Sequence, residues 1–93
     1  MKSIIEQREQ GYICGTALSL EKHHIFYGTA NRRKSEQYGL TVLLCPEHHR
    51  GTFGVHGACG HELDKRLKML GQRQFERIYS RDKFMQEFGK NYL

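Results

Sequence analysis

The spacing of apolar side chains changes along the chain and predicts two short strands followed by helices. Residues 18–27 read as a strand that carries two adjacent histidines, His23 and His24, and residues 40–44 form an apolar run typical of a buried strand. Pro46 follows that run and suits the first turn of a helix, where its missing N–H group would have had no partner. The predicted order is therefore strand, connection, strand and helix start.

Glycines mark the ends of the other predicted elements. The connection between the strands is expected to hold a short helix at about 30–38, which Gly39 ends as a left-handed cap. Glycine then recurs at every third position from 51 to 60. These positions predict a loop, because each glycine inside a helix would cost about 1 kcal/mol.

Beyond the loop the apolar positions return at helical spacing. They are Leu63, Leu67, Leu70, Phe75, Ile78 and Tyr79. Gly71 is expected to break this stretch into two helices. A last helix is predicted between a cap in residues 80–82 and a stop at Gly89, and its apolar face comprises Phe84, Met85 and Phe88. We expect these faces to form the core that covers the strands.

Histidine and cysteine are concentrated in two places. Of six histidines and three cysteines, five lie in the pair His23 and His24 and in the segment 45–49, which reads Cys-Pro-Glu-His-His. Neutral imidazole and thiolate are ligands that borderline metals prefer. This clustering indicates a metal site once the fold brings the two segments together.

The order of these motifs, over roughly residues 12–56, resembles the HNH endonucleases. These are the ββα-metal, or His-Me finger, nucleases of phage genomes, homing enzymes and nuclease colicins, and the tail has a looser likeness to small phage-encoded HNH proteins. The resemblance implies an α+β fold, with a ββα-metal hairpin and helix (about 12–62) and a helical C-terminal tail (about 62–93) in one domain spanning 1–93. It implies a metal-dependent DNA endonuclease or nickase.

In that family the first histidine of the pair binds a metal ion and the second acts as general base on water. The resemblance therefore implies that His23 is a ligand and His24 the base. Consecutive strand residues point to opposite faces, so both can serve one site only if the backbone bulges or turns. We expect that distortion after Lys22.

The other ligands implied by the resemblance begin with His49, which matches the histidine that opens the helix. A third ligand usually follows one helical turn later, but Phe53 stands there, so the next candidate is His56, and His61 is the fallback. The implied cofactor is one divalent ion, Mg, Mn, Ni or Zn.

The asparagine that gives the family its middle letter usually lies in or near the second strand. It orients the histidine base through the backbone. Residues 38–41 contain no asparagine, and Asn31, which lies earlier in the connection, is the candidate for this catalytic role.

Many relatives also carry two Cys-x-x-Cys knuckles that bind structural zinc, and this chain keeps half of each. Cys14 follows Gly11, where a first cysteine would stand, and Cys45 is followed by His48 in place of the second thiolate. Tetrahedral zinc needs four ligands, and Cys59 is the candidate for the fourth. The alternative is that the zinc is lost and the cysteines are small buried apolar residues.

Net charge favours a polyanionic partner such as DNA. The chain carries +5 with a pI of about 9.3, while residues 1–22 contribute no net charge. Candidate phosphate contacts are Arg32, Arg33 and Lys34 in the connection and Arg50 beside His49. A solvated loop would have the same composition.

Composition also restricts the setting. The chain has 93 residues, no apolar run of the ~18 residues that a membrane span requires, and no secretory core near its start, so we expect a cytoplasmic protein with no membrane partner. Three cysteines suit metal binding in a reducing compartment better than disulfides.

The competing functional hypothesis is a non-catalytic module on the same scaffold that binds DNA or a protein partner such as a host defence nuclease.

Overall fold

The computed structural model describes residues 2–6, 11–16 and 19–93. This part of the chain forms a two-stranded antiparallel sheet and four helices. In chain order the elements are β1 (Glu21–His24), α1 (Thr29–Tyr38), β2 (Thr41–Leu44), α2 (Pro46–Arg50), α3 (His61–Ile78) and α4 (Arg81–Phe88). The protein is therefore a small α+β fold, as the hydrophobic pattern predicted.

The hairpin ladder runs without interruption through the paired histidines. His23 lies opposite Val42 and His24 opposite Thr41. Ile25 N–H still donates to the Leu40 carbonyl at 3.0 Å beyond them. The bulge expected after Lys22 is therefore wrong. Both histidines can border one cleft from a regular strand because β1 ends at His24, where the cleft opens.

The C-terminal half of helix α1 is fixed to the hairpin. It ends at Gly39 with φ of 71°, which confirms the predicted left-handed cap. One turn before that end, Ser35 is fully buried and pairs twice with Phe26. Its hydroxyl donates to the Phe26 carbonyl at 2.7 Å and accepts from the Phe26 N–H at 3.1 Å. This pair of hydrogen bonds holds α1 against the chain that leaves β1.

Helix α3 is continuous through Gly71, so the predicted break at that residue is wrong. A Cβ at Gly71 would lie 3.0 Å from Cε2 of Phe26 and 3.2 Å from Cγ2 of Ile25. The glycine lets the helix backbone approach the segment that follows β1. Packing at this contact offsets the roughly 1 kcal/mol that a helical glycine costs.

Helix α4 closes the aromatic core from the other side. The Ser80 hydroxyl accepts a hydrogen bond from Lys83 N–H at 3.0 Å, and Gly89 ends the helix with φ of 72°, so both predicted caps are confirmed. Phe84 and Phe88 are buried, and their ring centroids are 4.8 Å apart. Met85 is 37% exposed and lies at the edge of the predicted face.

None of the described helices combines the length and apolar character needed to cross a lipid bilayer.

Candidate metal centre and its cleft

Three histidines from three separate segments meet at one point. His23 comes from β1, His49 from α2, and His56 from the segment that joins α2 to α3. Their ring centroids are 5.3, 5.1 and 4.9 Å apart, and one nitrogen of each lies within 4.8 Å of the others. This group, called the histidine trio below, could hold a metal ion.

His23 is the buried member of the trio. Its residue is 1% exposed, and its Nε2 has no hydrogen-bond partner among the described residues. Burial, reinforced by the neighbouring histidines, lowers the pKa of His23 to about 3. The ring is therefore neutral at pH 7, and Nε2 is a buried polar atom that a bound ion would satisfy.

His49 is held from behind by the carboxylate of Glu21. Its Nδ1 lies 2.7 Å from Glu21 Oε1, to which Arg50 Nε also donates at 2.9 Å. Hydrogen bonding from Arg50, and then from His49, lowers the pKa of Glu21 to about 2. An ionised carboxylate that accepts the Nδ1 proton leaves Nε2 of His49 free as a ligand.

Residues 51–60, called the glycine-wound segment below, place His56 beside the other two histidines. A Cβ at Gly57 would lie 1.9 Å from the Gly51 carbonyl oxygen, and one at Gly60 would lie 1.5 Å from the Gly54 oxygen. Only glycine permits this close winding. It lets the His56 N–H donate to the His49 carbonyl at 3.0 Å.

That hydrogen bond brings His56, and not His61, next to the other two histidines. His61 is exposed at the first residue of α3 and stands outside the trio. Burial and the proximity of His49 lower the pKa of His56, so its ring is also neutral at pH 7.

An open cleft of about 310 Å³ adjoins the trio. Its lining comprises Lys22, His23, His24, Tyr27, Arg32, His49 and His56. His24 Nε2 lies 3.4 Å from Glu36 Oε1, and Lys22 Nζ holds both Glu36 oxygens at 2.8 and 2.9 Å. A tautomer with its proton on Nε2 would direct that proton at Glu36 and leave Nδ1 of His24 as the ring nitrogen with a free lone pair.

Asn31 is not brought into this cleft. It is half-buried in the first turn of α1, and the next residue, Arg32, lines the cleft instead. The backbone near the paired histidines is fixed by Ser35, through its two bonds to Phe26. A serine buried on a polar helix gives no sequence pattern that would have identified it.

A second group forms around Cys45, the residue that precedes α2. Its Sγ lies 3.5 Å from Cys14 Sγ and 3.0 Å from His48 Nδ1, and these three residues could also hold a metal ion. Cys59, the candidate fourth ligand, is exposed and is not a member of the group. A Cβ at Gly11 would lie 3.3 Å from Cys14 Sγ. Gly11, the knuckle position that lacks a side chain, therefore borders the group directly.

The four predicted phosphate-binding cations divide into two kinds. Arg32 lines the cleft and Arg33 is exposed, and no ion pair is found for either within the described ranges. Lys34 instead donates to the Glu87 carbonyl and lies 3.8 Å from its carboxylate. Arg50 is engaged with the carboxylate that holds His49.

Comparisons of this chain with models of known protein families, with curated proteins and with solved structures find no match. Function must therefore be inferred from the residues of the cleft and their geometry.

Proposed function

We propose that the protein is a metal-dependent DNA endonuclease of the HNH, or ββα-metal, type. The observation that carries the proposal is the convergence of the histidine trio with His24 and Arg32 in one cleft. A ligand set, a proton acceptor and a phosphate-binding cation are the parts that phosphodiester hydrolysis requires. The order of a two-stranded hairpin followed by helix α2 supports the proposal.

The residues of the trio fit a divalent ion. Neutral imidazoles at His23 and His56 present lone pairs without competition from protons at pH 7, and the free Nε2 of His23 lacks any other described partner. Ni or Zn suits three imidazoles better than Mg or Mn does. When bound, the ion would stabilise negative charge on the phosphate and the leaving oxygen.

His24 is the proposed general base. Its Nδ1 would take a proton from the water that attacks phosphorus, while Nε2 stays directed at Glu36. The negative charge of Glu36 stabilises the imidazolium that results. Arg32, on the same cleft wall, would bind a phosphate of the DNA backbone.

Plasmid nicking with Mg²⁺, Mn²⁺ or Ni²⁺, together with calorimetric metal titration, tests these roles. We expect His24→Ala to abolish nicking while metal affinity stays near that of the wild type, and His49→Ala to lose both. His61→Ala is the matched control, because His61 is exposed outside the trio, and it should behave as the wild type does. Equal loss of metal binding in His24→Ala and His49→Ala would overturn the assignment.

The placement of Asn31 away from the cleft favours the competing function, a binding module that uses the metal only to fold. That function predicts a wild type that binds the ion and gains thermal stability from it but nicks no plasmid with any of the three metals. DNA binding at low salt would then separate a DNA-binding module from one that binds a protein.

A further inference from the structure

A partly buried polar cluster lies next to the trio, where α3 begins. The Tyr27 hydroxyl donates to Asp64 Oδ2 at 3.0 Å, and Lys68 Nζ lies 3.0 Å from the same oxygen. Lys68 Nζ also lies 4.3 Å from the centroid of the Tyr27 ring. The Tyr27 hydroxyl and the Lys68 ammonium therefore converge on one oxygen of the Asp64 carboxylate.

The other oxygen of that carboxylate, Oδ1, is buried without a hydrogen bond among the described residues. Asp64 itself is 9% exposed. A buried oxygen of this kind is unfavourable unless a donor reaches it in the functional state of the protein.

The group that this acceptor could serve is His56. The Tyr27 ring, whose hydroxyl binds Asp64, lies 5.0 Å from the His56 ring and 6.0 Å from the His23 ring. The negative charge of Asp64 also acts on His56, where it opposes the larger lowering of the pKa by burial. Another member of the trio already has a carboxylate partner, since Glu21 binds the ring of His49.

Metal-bound histidines usually donate their second ring N–H to a carboxylate or carbonyl, which fixes the ring. His56 needs such a partner more than His23 does, because its segment carries no helix or strand to restrain it. We propose that Asp64 is the positioning residue for His56, whose free ring N–H donates to Oδ1 when the trio holds its ion. The inference rests on the proposed metal centre but not on nuclease activity.

Two measurements without DNA test it. In long-range ¹H–¹⁵N spectra of the Zn²⁺-loaded wild type, the N–H of His56 should be visible and slow to exchange with water. In Asp64→Asn that signal should be lost, and calorimetry should show Mn²⁺ affinity lowered 10- to 100-fold. Mn²⁺ is used for affinity because it avoids the thiolates of Cys14 and Cys45.

Glu62→Gln is the matched control, since Glu62 is an exposed carboxylate in the same first turn of α3, and it should leave both readouts unchanged. A fast-exchanging His56 N–H in the loaded wild type would mean that water satisfies Oδ1, and would overturn the role even if Asp64→Asn fails to fold. Unchanged Mn²⁺ affinity in folded Asp64→Asn would also overturn it. A wild type that binds neither ion at the trio would instead remove the proposed metal centre itself.

Discussion

Glu21 and His49 are joined by a 2.7 Å contact between Oε1 and Nδ1, which ties β1 to α2 directly behind the histidine trio. The same carboxylate binds Arg50 through two nitrogens, at 2.9 and 2.5 Å. One side chain therefore fixes both the orientation of an imidazole and the position of a cation. Glu21 shares a strand face with His23, two residues later, so the carboxylate and both rings meet on one side of the hairpin.

Replacing Glu21 should weaken the metal centre without removing a ligand. We expect Glu21→Gln to lower Mn²⁺ affinity 10- to 100-fold, because the His49 ring loses the anion that fixes its tautomer. Calorimetry measures the change, with the exposed-site variant Glu62→Gln as control. An affinity equal to that of the wild type would show that α2 alone orients His49.

Burial of neutral His23 should make the metal-free protein sensitive to acid. Its pKa of about 3 in the fold lies below the ordinary value of 6.5, so the unfolded chain binds the extra proton and stability falls as pH decreases from 6.5 toward 3. Between pH 7 and pH 5 the loss should be about 2 kcal/mol. Urea unfolding at the two values should show it, and His23→Gln should remove most of it while His61→Gln does not. An unchanged pH dependence in His23→Gln would contradict the assignment.

The group at Cys14, Cys45 and His48 should hold zinc weakly in the wild type and firmly in Gly11→Cys. Three ligands leave tetrahedral zinc incomplete, and a side chain at Gly11 starts 3.3 Å from Cys14 Sγ. Elemental analysis with thiol titration should find well under one zinc per wild-type chain and close to one in the variant. One stoichiometric zinc in the wild type that survives His49→Ala but not Cys14→Ala would show that another residue already completes the site.

Arg32 and Arg33 should account for part of the salt dependence of DNA binding. Replacing both with alanine should flatten the slope of log K against log[salt] by about two contacts, since each phosphate contact contributes about −0.9. Lys34→Ala is the control, because the Lys34 ammonium is bound to Glu87 and its loss should leave the slope unchanged. A wild-type slope in the double variant would place the DNA on another surface.

Local signals in the sequence predicted much of the fold. The cap hydrogen bonds at Gly39, Ser80 and Gly89 join residues at most four positions apart, so local sequence was sufficient to predict them. Gly71 was misread because its reason is a contact with Phe26, which lies far away in the chain.

The same division between local and distant causes holds at the candidate site. The clustering of histidines predicted that two segments would meet, and the resemblance to HNH endonucleases implied that His23 and His49 would be grouped. The partner of His49, Glu21, was missed, because an acidic residue on a strand is ordinary until its neighbour in space is known.

The glycine-wound segment also sets the order in which the trio comes together during folding. His49 and His56 are close in sequence and share a backbone hydrogen bond, so little chain has to be closed to bring them together. His23 can join them only after β1 has found β2 across the whole of α1. An ion that bound all three imidazoles would therefore select chains whose hairpin has already formed, and its arrival would mark a late step of folding.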